Sequence, residues 1–211
     1  MEIGDILFPA LFRRYGYVDE GPYEWGMVRV APGDIVFDCG ANFGVFSLLA
    51  AYRGGEVFAF EPIQETREIL RQTLALNPSL ANRVRIVPYA LGAKEGNAEF
   101  TILMDTLIGS SMVLPQNGRK ICVPVTTVDA FTEAEGLDAV NFIKADIEGA
   151  ERQMLVGAAS ILQRCAPKIA ICKYHLADDG IVLAGLLRKA NPRYMLNERW
   201  KKIYGYVPSE K

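Results

Sequence analysis

Short apolar runs alternate with helix-like stretches along nearly the whole chain, and this alternation restricts the fold more than any other feature. Strands buried on both faces of a parallel sheet read as continuous runs of Val, Ile, Phe and Ala, and the connections between them must be crossovers, usually helical. Runs at 35–37, 56–60, 83–88, 140–144 and 168–174 have this character. Helical spacing of apolar residues fills 45–52, 63–76, 150–163 and 181–190, with Ile69, Leu70, Leu74 and Leu76 on or near the inner face of the second. The spacing predicts an α/β fold, a mostly parallel sheet with helices on both faces. Two further β-like runs, 193–197 and 202–207, have no helix between them and suggest an antiparallel hairpin at a sheet edge.

The rhythm breaks between Gly92 and Asp129. Runs rich in Ile, Val and Thr at 98–103 and 121–125 flank loop-like sequence that includes Gly109-Ser110-Ser111 and Gln116-Asn117-Gly118. Residues 93–126 therefore read as a β-rich insertion, with 107–118 as a loop that folds over the active site. A short helix is expected over 127–135. The 211 residues suit one domain spanning 1–211, opened by a leader over 1–31.

Lys and Arg number 23 against 25 Asp and Glu, a formal charge of −2. No basic excess argues for nucleic acid or an anionic membrane as partner. No apolar run approaches a membrane span and the N-terminus lacks a signal-peptide pattern, so the cytoplasm is the expected compartment. Four cysteines, none in a C-x-x-C pair, read as buried free thiols of a reducing compartment. With His175 the only histidine, zinc-ligand spacing is absent and no residue set is assigned to a metal.

The strongest local signal is Asp38-Cys39-Gly40-Ala41-Asn42-Phe43-Gly44, between the first strand and its helix. In open parallel sheets ligands bind outside the carboxyl ends of the strands. Gly40 lets the backbone turn close to a ligand, Gly44 permits close packing at the helix start, and Asp38 can accept from an ammonium group or loop amides. The spacing is not the G-x-G-x-x-G of a pyrophosphate cradle and suits a ligand without phosphates. Glu61 ends the second strand about twenty residues after Gly40, where an acid takes the hydroxyls of a ribose; Pro62 fixes its loop. Tyr89-Ala90-Leu91 falls where an adenine would lie.

Two carboxylates, Asp146 and Glu148, follow the fourth strand. Asp146 could line a substrate or bind metal, and Glu148 could cap the next helix or act in the site. His175 ends the fifth strand on the same sheet edge and is a natural general base near neutral pH. Strand alternation puts Lys173 on its side, where it could orient a substrate oxygen or an acid.

The stretches VFDCGANFGVFSLLAA, VFAFEP, VPYALG, VPVTTVDAF, NFIKADIEGAE and IAICKYH, in this order, resemble the FkbM-type family of S-adenosylmethionine-dependent O-methyltransferases. The resemblance runs from about Gly33 to His175. It implies a Rossmann-like class I methyltransferase fold with a seven-stranded sheet, and methyl transfer from S-adenosylmethionine to a hydroxyl of a small molecule or carbohydrate. It further implies cofactor contacts from Asp38, Gly40, Asn42 and Glu61, with Ala90 and Asp146 carried over; Ala41, Gly44 and Pro62 belong to the same segments. His175, Asp146 and Lys173 form the candidate catalytic set. Lys173 departs from the acid that many members carry near that position. Dependence on a divalent metal and the oligomeric state stay open. So do three rival functions: transfer to nitrogen, an NAD-dependent oxidoreductase on a similar sheet, and a non-catalytic protein that binds S-adenosylmethionine.

Overall fold

The computed structural model describes residues 21–102, 111–113 and 118–208. Seven strands form the central sheet: β1 (Ile35–Cys39), β2 (Glu56–Phe60), β3 (Val84–Val87), β7 (Phe142–Ala145), β8 (Lys168–Cys172), β9 (Met195–Arg199) and β10 (Lys202–Tyr206). Their spatial order is β3-β2-β1-β7-β8-β10-β9. The first five are parallel; β10 runs antiparallel between β8 and β9. The order reverses between β1 and β7, which opens a crevice at their carboxyl ends.

Helices α1 (Val45–Tyr52), α2 (Gln64–Ala75), α3 (Pro78–Ala81), α4 (Val128–Ala134), α5 (Glu151–Val156), α6 (Ala159–Arg164) and α7 (Asp179–Ala190) make the connections. Side chains of β1 alternate between the two faces, as the pleat requires. Phe37 joins Phe60, Phe131 and Ile143 in one core, and Val36 joins Phe46, Val57 and Phe142 in the other. The leader is not a detached arm in its described part: Val28 and Val30 are buried in the second core, with Tyr23 and Trp25 packed against it.

β4 (Ala90–Leu91), β5 (Gly96–Ile102) and β6 (Arg119–Thr126) form a separate three-stranded sheet, order β4-β6-β5. Ile63, Ala90, Phe100, Ile102, Val123 and Val125 make its core, so it packs against the loop after β2. Of the loop 107–118, only Ser111, Met112, Val113 and Gly118 are described; the rest lies outside the described residues.

Several sequence expectations are corrected. The helix expected over 150–163 is two helices, interrupted at Gly157 and Ala158. A Cβ on Gly157 would lie 2.1 Å from the Gly92 carbonyl oxygen, so a backbone crosses where a helix would continue. Asp129 sits at the break and accepts from the Ser160 and Ile161 amides, both at 2.9 Å. The strand expected to reach Tyr174 stops at Cys172, where its ladder with β10 ends at Lys202. Leu76 is 84% exposed because α2 has ended; Thr66, Leu70 and Leu74 carry its inner face. Cys39 and Cys172 are buried free thiols, whereas Cys122 is exposed. Among the described residues no helix is long and apolar enough to cross a membrane.

Candidate active site

A cleft opens at the carboxyl ends of β1, β2 and β7, the place where ligands bind in open parallel sheets. Gly40, Asn42, Glu61, Pro62, Ala90 and Asp146, all singled out in the sequence, line it.

The turn after β1 is built around close approaches. Gly40 has φ +76°, and a Cβ there would lie 2.0 Å from the Asp146 carbonyl oxygen. The amides of Gly40 and Ala41 both donate to the Phe60 carbonyl, tying the turn to the end of β2. Asn42 is left-handed at φ +50°, and its amide donates to Glu61 Oε2 at 3.1 Å. The Ile63 amide donates to Glu61 Oε1 at 3.0 Å. Glu61 is thus aimed by the backbone while its carboxyl faces the cleft. Burial pushes its pKa up to about 7, against the pull of those two amides and the more distant Lys144 and Arg67. Asn42 Oδ1 is buried with no hydrogen-bond partner among the described residues.

Asp38 does not reach the cleft. It is fully buried behind the turn, accepts from Ser47 Oγ at 2.6 Å, and pairs with Lys144 Nζ at 3.0 Å. Lys144 also donates to the Gly40 carbonyl at 2.6 Å, so the pair clamps the turn onto β7. Burial alone would lower the Lys144 pKa, but Asp38 and Asp146 outweigh it and hold it above its usual value. Ala41 is buried within the turn and Gly44 packs on Leu70; neither lines the cleft.

The loop after β7 carries the second half. Burial alone would raise the Asp146 carboxyl, but Lys144, the Tyr23 hydroxyl and His175 hold it below the usual carboxylate range. Tyr23 donates to Asp146 Oδ2 at 2.5 Å, and Tyr174 reaches Oδ1 at 3.4 Å. Glu148 also lines the cleft and is left-handed at φ +53°. It does not cap α5. Glu151 takes that part, accepting from the Ile147 amide at 2.8 Å and the Gly149 amide at 3.0 Å.

His175 lies behind these acids. Its Nε2 is 3.3 Å from Glu148 Oε2 and 3.6 Å from Asp146 Oδ1, and its Nδ1 is 3.1 Å from Glu151 Oε1. Burial alone would lower its pKa; Glu148, Glu151 and Asp146 instead push it up to about 10. In this arrangement the imidazole carries a proton at neutral pH, which differs from the free base expected from position alone. Lys173 is turned away and pairs with Glu198 on β9. With β8 over at Cys172, strand alternation no longer governs residues 173–175, and Lys173 and His175 part company.

Sequence reading missed Tyr23, Glu151, Phe100 and Met112. Phe100 and Met112 line the cleft from the three-stranded sheet side. Glu151 stood in the quoted motif, but its spacing resembles any acid in a first helical turn. Nothing local marks Tyr23.

A strand order reversing beside a phosphate-free glycine turn and a carboxylate at the end of β2 narrows the field, and sequence comparison decides it. The profile described as the methyltransferase FkbM domain matches residues 38–197. The chain belongs to this family. The 31-O-demethyl-FK506 methyltransferase FkbM of Streptomyces tacrolimicus is 28% identical over 184 residues, covering 72% of this chain and 67% of that protein. The hexuronic acid methyltransferase AglP of Haloferax volcanii is 26% identical over 157 residues, covering 74% of this chain and 62% of AglP. The crystal structure of methyltransferase FkbM from Methylobacillus flagellatus KT superposes with a TM-score of 0.67 at 25% identity, covering 92% of this chain and 50% of that one. The chain thus spans about two thirds or less of these curated relatives and half of the solved FkbM protein. The fold is that of the class I methyltransferases, with a mostly parallel sheet closed by an antiparallel hairpin.

Proposed function

We propose that this FkbM-domain chain binds S-adenosylmethionine and transfers its methyl group to a hydroxyl of a small molecule or sugar. One observation carries the cofactor half: Glu61 is held by the Asn42 and Ile63 amides with its carboxyl facing a cleft whose turn has no pyrophosphate cradle. Two ribose hydroxyls can donate to such a carboxylate. The orphaned Asn42 Oδ1 offers an acceptor on the same wall, and Gly40 leaves room for close backbone approach. Ala90 and Pro62 supply apolar lining. The residues present therefore fit the cofactor. When bound, S-adenosylmethionine supplies an electrophilic methyl on a sulfonium, and the protein's task is alignment of the acceptor oxygen and management of its proton.

Asp146 and Glu148 are the cleft-facing groups placed to orient an acceptor hydroxyl, with Tyr23 holding Asp146 and His175 supporting both acids from behind. The preference for oxygen leans on the relatives: one is named for the 31-O position of its substrate and another for a hexuronic acid. The free cysteines favour a reducing compartment such as the cytoplasm.

Equilibrium binding tests the cofactor: saturable binding of S-adenosylmethionine with none of NAD is expected, and the reverse would replace the reading with an oxidoreductase. A screen of hydroxylated metabolites and glycans then tests the acceptor. With an acceptor in hand, His175→Gln should lower kcat at least about tenfold and leave cofactor affinity nearly unchanged. Equal losses in both would remove His175 from the acceptor side.

A further inference from the structure

The terminal hairpin does more than close the sheet. Because β10 runs against β8, the turn between β9 and β10, Trp200-Lys201, arrives at the carboxyl ends of the parallel strands. The Lys173 amide donates to the Lys201 carbonyl at 3.0 Å and pins this turn beside the loop after β8. That edge of an open sheet is where ligands bind. On the methyl-transfer reading, Glu61 and Ala90 keep the cofactor over the β1–β2 side, and the acceptor falls to the side of β7, β8 and β10.

Two cations mark that side. Lys201 Nζ lies 5.3 Å from the centre of the Tyr174 ring, and the Tyr174 hydroxyl reaches Asp146 Oδ1 at 3.4 Å. Asp146 lines the cleft, so one tyrosine ring separates Lys201 from the groups placed to orient a hydroxyl. Tyr174 is 39% exposed, and Lys201 is exposed too. Arg199 lies over the Trp25 ring at 5.3 Å and the Trp200 ring at 4.5 Å, which fixes a second charge at the base of the turn. Contact with a ring face steadies a cation without neutralising it. Among the described residues neither Arg199 nor Lys201 pairs with a carboxylate. Acids of the same edge are engaged: Glu198 with Lys173, and Asp178 and Asp179 with Arg152. The whole chain carries −2, so the turn is a local excess of the opposite sign.

We propose that Lys201 selects the acceptor by pairing with a carboxylate on it, with Tyr174 as the wall between that carboxylate and the hydroxyl presented to Asp146. The acceptor is then a hydroxy acid about the size of one sugar ring. A lysine is a point charge, and here it stands near two cleft carboxylates, Asp146 and Glu148. Their repulsion favours one negative charge over the two of a phosphate monoester. The use of the bound acid rests on the methyl-transfer reading; the preference for an acid rests on the turn.

The probes are matched sets: D-glucuronate, D-glucose and D-glucose 6-phosphate; D-galacturonate, D-galactose and D-galactose 6-phosphate; 4-hydroxybenzoate and its methyl ester. Each is titrated by saturation-transfer NMR into the protein with S-adenosylhomocysteine present. At least one acid should bind at least about fivefold more tightly than its neutral and phosphorylated partners, and the gap should shrink as salt is raised. Lys201→Met should abolish the gap and leave the neutral partner unchanged, and Lys201→Glu should make the acid the weaker ligand. Lys189→Met, in the last turn of α7, should change nothing. Thermal melts establish that each variant is folded. No acid binding, acid and neutral members binding alike, tighter binding of the phosphate, or a preference that survives Lys201→Met overturns the proposal. An acid held through Lys201 but never methylated would instead overturn the methyl-transfer reading alone.

Discussion

Glu61 shows how much of a single residue's chemistry is set around it. A carboxylate at the end of β2 is an ordinary reading, but its titration depends on burial working against the Asn42 and Ile63 amides, Lys144 on β7 and Arg67 on α2. Its folded pKa, about 7, lies above the ordinary 4.5. The folded protein therefore holds a proton that the unfolded chain loses, and this group's penalty to stability grows as pH rises from about 4.5 through about 7. Ribose hydroxyls donate to the ionised form. Cofactor affinity should therefore fall as pH drops below about 7, approaching tenfold per pH unit for one linked proton. Glu61→Gln should bind more weakly at pH 8 and lose that slope. Calorimetric titrations across this range check both, and an unchanged slope in the variant would remove Glu61 from the ribose site.

Among the elements, the broken helix after β7 is the instructive case. Apolar spacing runs through 150–163 without interruption, so the sequence reads as one helix. Gly157 is a weak stop in that reading, and only the neighbouring Gly92 backbone shows why the helix must end there. The new N-terminus at α6 is capped from another helix: Asp129 accepts from the Ser160 and Ile161 amides. Asp129→Ala should cost about 1 kcal/mol, read by urea denaturation, with cofactor binding preserved. The β8 boundary has the same character. Its apolar run continues to Tyr174, but a strand lasts only as long as its partner, and β10 pairs no further than Cys172.

For the molecule as a whole, the buried Lys144–Asp38 pair joins the glycine turn to the central sheet. Both ends are almost fully excluded from water, and Lys144 also holds the Gly40 carbonyl. Lys144→Met would leave Asp38 charged and uncompensated, a loss of about 3–5 kcal/mol. Adding Asp38→Asn should recover part of it, and the double-mutant cycle in urea gives the coupling. Losses that simply add would show that the two side chains act separately. The alternation of runs, the glycine turn, Glu61 and the final hairpin were legible in the chain because periodicity and turn chemistry act over a few residues. The placement of Tyr23, Asp146, Glu148, Glu151 and His175 in one cluster, the proton on His175, the outward turn of Lys173 and the retreat of Asp38 behind its turn were decided by tertiary structure. Charge and direction there follow from neighbours far apart in the chain, such as Tyr23 and Asp146, 123 positions apart, and no local pattern encodes which carboxylates will surround a ring.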